Sequence, residues 1–391
     1  MSIIIAKGHR ETAEVEFIGK HPDTFSSYVA AKLVENLATK SENVEEFRSD
    51  INVQSLYDHG KVRVTIGGQI VVNRKIKVDK IATETVISCL KRAGYVDYAN
   101  PNKVIVKTIV TKQSNYLNNT SKSNNYADSC VVYGHYLHEP FGVNGTFPSL
   151  IIAQQIDKIL NDNKKQLSAL RYDGKVHVTV IYNERGFKVD DVYISVAHKK
   201  NCSNFDDKLK QVLINKIPAL KHSKINVNQG GEFSVYFLKA DSGVSKAKDD
   251  IIITGGIHQL GTDRVWGKCL YKASSILIPY VFAMSKAICE CTGADYSSVS
   301  AFAKYGQREA EIQLCEIDPK FERLREKINR CLENIPRDSQ SIRTILNLPI
   351  SKGTYKLMND ISGFHDSNKP WKKKNRILIK YLKEGLGSLS A

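Results

Sequence analysis

Three lysines, Lys175, Lys268 and Lys272, and the His21-Pro22-Asp23 tripeptide are the residues whose types and placement can do chemistry in concert. Each lysine stands at the edge of an expected strand or helix, where a cation can face a polyanion. The tripeptide opens a helix, because Asp23 directly precedes Phe25, Val29, Leu33 and Leu37, apolar residues spaced one helical turn apart. A carboxylate at that point can hold a divalent metal or cap the helix. Cation, carboxylate and histidine are together the parts of a phosphate-handling site.

The elements that must position these groups sit in a chain of 391 residues, long enough for two or three domains with their own cores. Apolar residues make up 42% and charged residues 25%, close to the globular average, which argues against wholesale disorder. The net charge of +16 suits a nucleic-acid binder or a receiver of a small polyanion. The lysines are spread along the chain, however, and the aromatic-basic interleaving of a single-strand binder is missing, so charge alone carries little weight for nucleic acid. The eight cysteines form no C-x-x-C pair and read as reduced thiols rather than zinc ligands or a disulfide framework. The N-terminus turns polar by Lys7, and the longest apolar run, around Ile276 to Met284, contains Pro279 and is short for a bilayer. The expectation is a cytoplasmic protein without a membrane or nucleic-acid partner.

Three stretches share a pattern of strands with an amphipathic helix, which argues for α+β layers. The first has helices at about 23–39 and 79–93 and a strand in which Val62, Val64 and Ile66 alternate with Lys61, Arg63 and Thr65. The second has strands at 130–136, 175–182 and 191–198 and helices at about 148–165 and 204–217. The third has strands at 232–238 and 250–254 and a long helix from about Lys268 to Cys291, which would put Lys268 and Lys272 on one helical face. Domains are expected at 10–112, 126–238 and 240–376. Between the first two lies an Asn- and Ser-rich stretch, 113–125, which by composition is a linker or a lid. The tail from Trp371 onward reads as a basic amphipathic helix with a solvated face.

Seven pieces occur in a collinear order: HPD at 21–23, LRYDGKVHVTV at 170–180, SVAH at 195–198, NQGGEF at 228–233, ADSGVSKAK at 240–248, GKCLYK at 267–272, and TYK…GFHDSNKPWKK from 354 to 373. In that order they resemble the S-adenosylmethionine synthetase (methionine adenosyltransferase) family, over nearly the whole chain and as a divergent member. The resemblance implies three similar α/β domains and a homodimer or dimer of dimers with active sites at the subunit interface. It also implies a transferase reaction in which the sulfur of L-methionine attacks the ribose 5′ carbon of ATP and expels triphosphate. The bound triphosphate is then cut to pyrophosphate and phosphate, with two magnesium ions and a potassium ion assisting.

The physical demand of such a reaction is independent of the name. Expelling triphosphate needs strong neutralisation of the leaving group, whereas a thioether carries no proton and needs no base. By resemblance, His21 lies at the breaking carbon–oxygen bond, Asp23 binds magnesium, and Lys175, Lys248, Lys268 and Lys272 contact phosphate. Asp173 and Asp241 contact the nucleotide, and Phe233 stacks on adenine. Gln69, Gln113 and Asp128 bind methionine, and 113–125 becomes a gating loop. Each has a plainer alternative: a helix-entry residue for His21, an N-cap for Asp23, exposed strand-end or helix-face lysines, turn aspartates and a core phenylalanine.

The chain departs from the family pattern in several places. Thr24 stands where a lysine is usual and Lys20 where a glycine is. Cys269 and Ser274 replace acids, the second of them a magnesium ligand. Ala247 replaces an arginine, and Gln69 replaces the glutamate that binds methionine. The nearest candidate for the potassium-site glutamate is Gln54. Magnesium tolerates few protein ligands, so loss of one leaves a site possible, with Asp263 as a candidate substitute. A glutamine accepts a hydrogen bond from an ammonium group but offers no charge. The second expectation is therefore a catalytically weakened paralogue that binds nucleotide or regulates an active partner.

Overall fold

In the computed structural model, residues 7–72, 75–113, 124–202 and 204–387 are described. The first part of the chain runs β1 (Arg10–Glu16), α1 (Pro22–Lys40), β2 (Arg48–Asp58), β3 (Lys61–Val71), α2 (Val78–Arg92) and β4 (Val104–Thr111). The second runs β5 (Cys130–Leu137), α3 (Pro148–Asp162), β6 (Leu170–Asn183), β7 (Gly186–His198), α4 (Phe205–Lys216) and β8 (Lys224–Val227). The third runs β9 (Gly243–Val244), α5 (Asp249–Thr254), α6 (Ala273–Thr292), β10 (Tyr296–Ala303) and β11 (Glu311–Ile317). It ends in the helices α7 (Arg325–Asn334), α8 (Ser339–Leu346), α9 (Lys352–Met358) and α10 (Arg376–Leu386). The fold is α+β, with three sheets each backed by helices.

Each sheet borrows a strand from another part of the chain. The order β1-β6-β7-β8 takes β1 from the first part, β11-β10-β5 takes β5 from the second, and β4-β3-β2-β9 takes β9 from the third. This exchange brings residues distant in sequence into one site. In the first sheet β1 runs antiparallel to β6 with Glu16 directly opposite Lys175. Residues facing each other in such a pair are close enough for their side chains to interact. In the third, Asp50 of β2 faces Gln69 of β3 on one side and bridges to Lys268 on the other.

Helix α1 forms as its spacing predicts: Pro22 occupies the first turn, where its missing N–H costs nothing, and Phe25, Val29, Leu33 and Leu37 are all buried. Strand β6 starts at Leu170 rather than after a turn at Asp173-Gly174, with an irregular register between Leu170 and Gly174.

Three expected elements differ. Residues 232–238 form no strand; Phe237 adopts a left-handed backbone (φ 57°), held by its amide, which donates to Asp173 Oδ2 at 2.7 Å, and by its ring, stacked on Tyr95 with centroids 3.7 Å apart. Residues 249–254 are helix, not strand. Their β-branched run carries Asp249 and Asp250 in the first turn and Gly255 as a left-handed C-cap, the punctuation of a short helix. The long helix begins only at Ala273, so Lys268 and Lys272 share no helical face. Before it, the chain zips along β2, with Ile51 N donating to Gly267 O and Cys269 N to Ser49 O. Two glycines permit this path. A Cβ on Gly261 would lie 2.0 Å from Val131 O, and one on Gly267 would lie 2.5 Å from Ile51 O.

Pro279 lies inside α6 rather than ending the apolar run. That helix is long and apolar enough to cross a membrane, yet 83% of its apolar window is buried within the fold against β5 and β10, as in a core helix. The tail helix α10 buries Leu378, Ile379, Leu382 and Leu386 against α6 and α7 and turns its basic residues outward. All eight cysteines are free thiols.

Candidate active site

Two carboxylates organise the cations that the sequence singles out. The first is Glu16, at the end of β1 and fully buried. His21 Nδ1 lies 2.9 Å from its Oε2; Lys175 Nζ lies 2.9 Å and Lys248 Nζ 3.1 Å from its Oε1. Lys175 also stands 4.0 Å from Glu14. Burial alone would push the Glu16 carboxyl up, but His21 and Lys175 outweigh it and hold the group down at about 2. The same pairing holds the Lys175 ammonium above its ordinary range despite burial. His21 is the N-cap residue of α1 but makes no side-chain cap; its ring turns to Glu16 instead. Asp23 does not cap its own helix either. Its Oδ1 accepts from Val244 N at 2.9 Å, stitching α1 to β9.

The second organiser is Asp50 of β2. Lys246 Nζ donates to its Oδ1 at 2.8 Å, and Lys272 Nζ lies 2.9 Å from its Oδ2. Burial raises the Asp50 carboxyl, while Lys246, Lys272 and Lys268 override this and lower it to about 2. Lys268 donates to Asp263, and Lys272 lies 3.5 Å from Asp128 Oδ2. Lys272 is held above its ordinary range, because Asp50 outweighs the opposing effect of burial.

One short segment joins the two groups. Ser245 N donates to Val53 O, Val53 N to Ser245 Oγ, and Lys246 N to Ser27 Oγ. These bonds fix residues 243–248 between α1 and β2. Lys246 then reaches Asp50 while Lys248 reaches Glu16, and their Cα atoms are two peptide links apart, at most about 7 Å. Five lysines and His21 are thus gathered around Glu16 and Asp50, with Asp263 holding Lys268. Such an array can neutralise several adjacent phosphoryl groups.

The remaining expected site residues are placed as follows. Gln69 is half-buried opposite Asp50. Asp128 Oδ1 accepts from Ser129 N while Oδ2 faces Lys272. Gln113 is buried, and its Oε1 has no partner among the described residues. Residues 114–123 of the expected gating loop lie outside the described residues. Asp173 is buried, which pushes its carboxyl up, and it secures Phe237 from below. Asp241 is exposed and accepts from Ser242 N. Phe233 is half-buried, lies in no strand, and is tied to His198 through bonds in both directions, of 2.9 and 3.3 Å. Gln54 is an exposed strand residue.

Three of the departures named above have structural partners. Thr24 Oγ1 donates to Phe17 O, Ser274 Oγ donates to Arg264 O, and Lys20 forms a buried pair with Asp157 at 2.9 Å. Sequence reasoning missed Glu16, Asp50 and Lys246. The one legible signal for Glu16 was an acid at the end of an alternating strand leading to the tripeptide.

Glu16, His21 and Asp23 each offer an atom within 4.8 Å of the others, a grouping that could hold a metal ion. The oxygens of Glu16 and Asp23 are hard donors that fit magnesium, which completes its shell with water and phosphate oxygens. A cavity of about 620 Å³ opens elsewhere, lined by Lys20, Tyr28, Arg92, Asp157 and His365 among others, and includes neither organising carboxylate.

The family model for the S-adenosylmethionine synthetase central domain matches residues 144–233. An S-adenosylmethionine synthase of Petrotoga mobilis is 23% identical over 273 residues, covering 63% of this chain and 67% of its own length. One from Streptococcus agalactiae is 32% identical over 127 residues, covering 30% of this chain and 32% of its own. The solved structure of an unusual S-adenosylmethionine synthetase from Campylobacter jejuni superposes with a TM-score of 0.79 at 17% identity, over 97% of this chain and 100% of that one. The superposition carries the fold, and the sequence matches, strongest over the central domain, carry a similarity to S-adenosylmethionine synthetases.

Proposed function

We propose that the chain is a methionine adenosyltransferase, forming S-adenosylmethionine from ATP and L-methionine. The observation that carries this reading is the gathering of His21, Lys175, Lys246, Lys248, Lys268 and Lys272 around Glu16 and Asp50. The methionine sulfur forms a bond to C5′ of the ribose as the C5′–O bond breaks, and the electron pair leaves on the triphosphate. The lysines neutralise that growing charge, and His21, steadied by Glu16, stands at the departing oxygen. Water then cleaves the held triphosphate to pyrophosphate and phosphate. Asp173 shapes the 237–241 turn, Asp241 and Phe233 attend the nucleoside, and Gln69, Gln113 and Asp128 attend methionine. Asp23 and Glu16 would hold magnesium, which supplies further neutralisation of phosphate charge when bound. The reading includes domains at 10–112, 126–238 and 240–376 and a second copy of the chain as partner.

A second reading, a weakened nucleotide-binding paralogue, is favoured by one feature: Ser274 and Thr24 spend their hydroxyls on backbone carbonyls. Purified protein incubated with ATP, magnesium and methionine distinguishes the two. Formation of S-adenosylmethionine with equimolar pyrophosphate and phosphate is expected. ATP binding without product would transfer the assignment to the paralogue.

A further inference from the structure

Glu16 and Asp50 hold similar sets of cations but differ in one respect. Glu16 is sealed at the end of β1, whereas the Asp50 side chain is 25% exposed. An anion that arrives at Lys246, Lys268 and Lys272 therefore meets an acid that can give way. The three lysines do not all depend on it. Lys268 keeps Asp263, and Lys272 keeps Asp128. Lys246 is fixed through its backbone, where its amide donates to Ser27 and its carbonyl accepts from Arg264 Nε. Removing the Asp50 charge would thus leave Lys268 and Lys272 with their second acids and Lys246 anchored through its backbone, less tightly converged but with one competing anion fewer.

We propose that Asp50 is a positioning residue that doubles as an internal competitor: its carboxylate occupies the seat that one phosphoryl group of a polyphosphate takes, and yields when that group binds. The proposal rests on the polyphosphate role given to the lysines above. It assigns Asp50 two opposed effects: it keeps three like charges converged, which bare lysines would resist, and it weakens the grip on the polyphosphate, whose release must follow every turnover.

The test is calorimetric titration of the full chain with inorganic tripolyphosphate at fixed magnesium. Asp50→Asn is expected to tighten binding by about ten-fold. Asp50→Glu, which restores an anion, is expected to return near the wild-type value. Asp58→Asn removes the same charge at the far end of the β2–β3 hairpin, where Asp58 pairs with Arg63. It controls for net charge and is expected to change affinity by less than about two-fold, given screening over that distance. Asp50→Ser serves as a second variant should the first fold poorly. Weaker binding in the Asn or Ser variant, or an equal gain in Asp58→Asn, would overturn the competitor role alone. Wild-type protein with no affinity for tripolyphosphate would overturn the lysine assignment itself.

Discussion

Replacing Lys175 with alanine is expected to lower turnover by about two to three orders of magnitude while the protein stays folded. The lysine sits in mid-strand on β6, opposite Glu16 and Ser195, with 37% of its side chain exposed. Alanine keeps the strand and its register. Glu16 keeps His21 and Lys248 as partners, so the buried acid is not orphaned. In the proposed reaction, what is lost is an ammonium group that neutralises the leaving triphosphate, whose worth is greatest when charge develops. The measurement is the initial rate of S-adenosylmethionine formation beside a thermal melt. Normal rates with a normal melt would remove Lys175 from the site.

Replacing Glu16 with glutamine should act first on stability. The buried carboxylate is the common anion of His21, Lys175 and Lys248, and its loss leaves those cations facing one another. Breaking a fully buried pair costs about 3–5 kcal/mol, and the partial exposure of Lys175 and Lys248 puts this loss below that range. Linkage gives an independent handle. The folded carboxyl titrates at about 2, below its ordinary 4.5, so its contribution is present above the ordinary value and lost as pH falls toward 2. Asp50, lowered from 3.8 to about 2, acts in the same direction and remains in the variant. Denaturation of the wild type should therefore ease steeply between pH 4.5 and 2, and the Glu16→Gln protein should be weaker at pH 7 with a shallower dependence below it. An unchanged pH profile would mean that Glu16 is not the electrostatic hub.

Much of this architecture is legible in the sequence. The alternation of Val62, Val64 and Ile66 outlined β3, and the period of Phe25, Val29, Leu33 and Leu37 outlined α1. The misread pieces share a cause. Short apolar runs such as 249–254 carry no decisive period, and there the paired aspartates and Gly255 decided for helix. Residues 268–272 look helical by spacing, but hydrogen bonds to β2, a partner more than two hundred positions away, hold 267–269 beside it, and the chain turns through 270–272 before the helix starts. The site divides in the same way. His21, Asp23 and Lys175 stand in local motifs, whereas Glu16 and Asp50 are ordinary strand acids until the strand exchange sets Lys175 opposite one and Lys268 opposite the other. Lys246 shows the limit most clearly. It stands beside Ala247, adopts a left-handed backbone (φ 72°) and reaches Asp50, none of which its local sequence announces.

The structure of the protein with an unreactive ATP analogue and magnesium tests the central claim most directly. The account predicts phosphate oxygens within hydrogen-bonding distance of Lys175, Lys248, Lys268 and Lys272, with Asp23 toward the metal. Phosphates seated elsewhere, for instance in the cavity beside Lys20 and Arg92, with His21 and the lysines still closed on Glu16, Asp50 and Asp263, would contradict it.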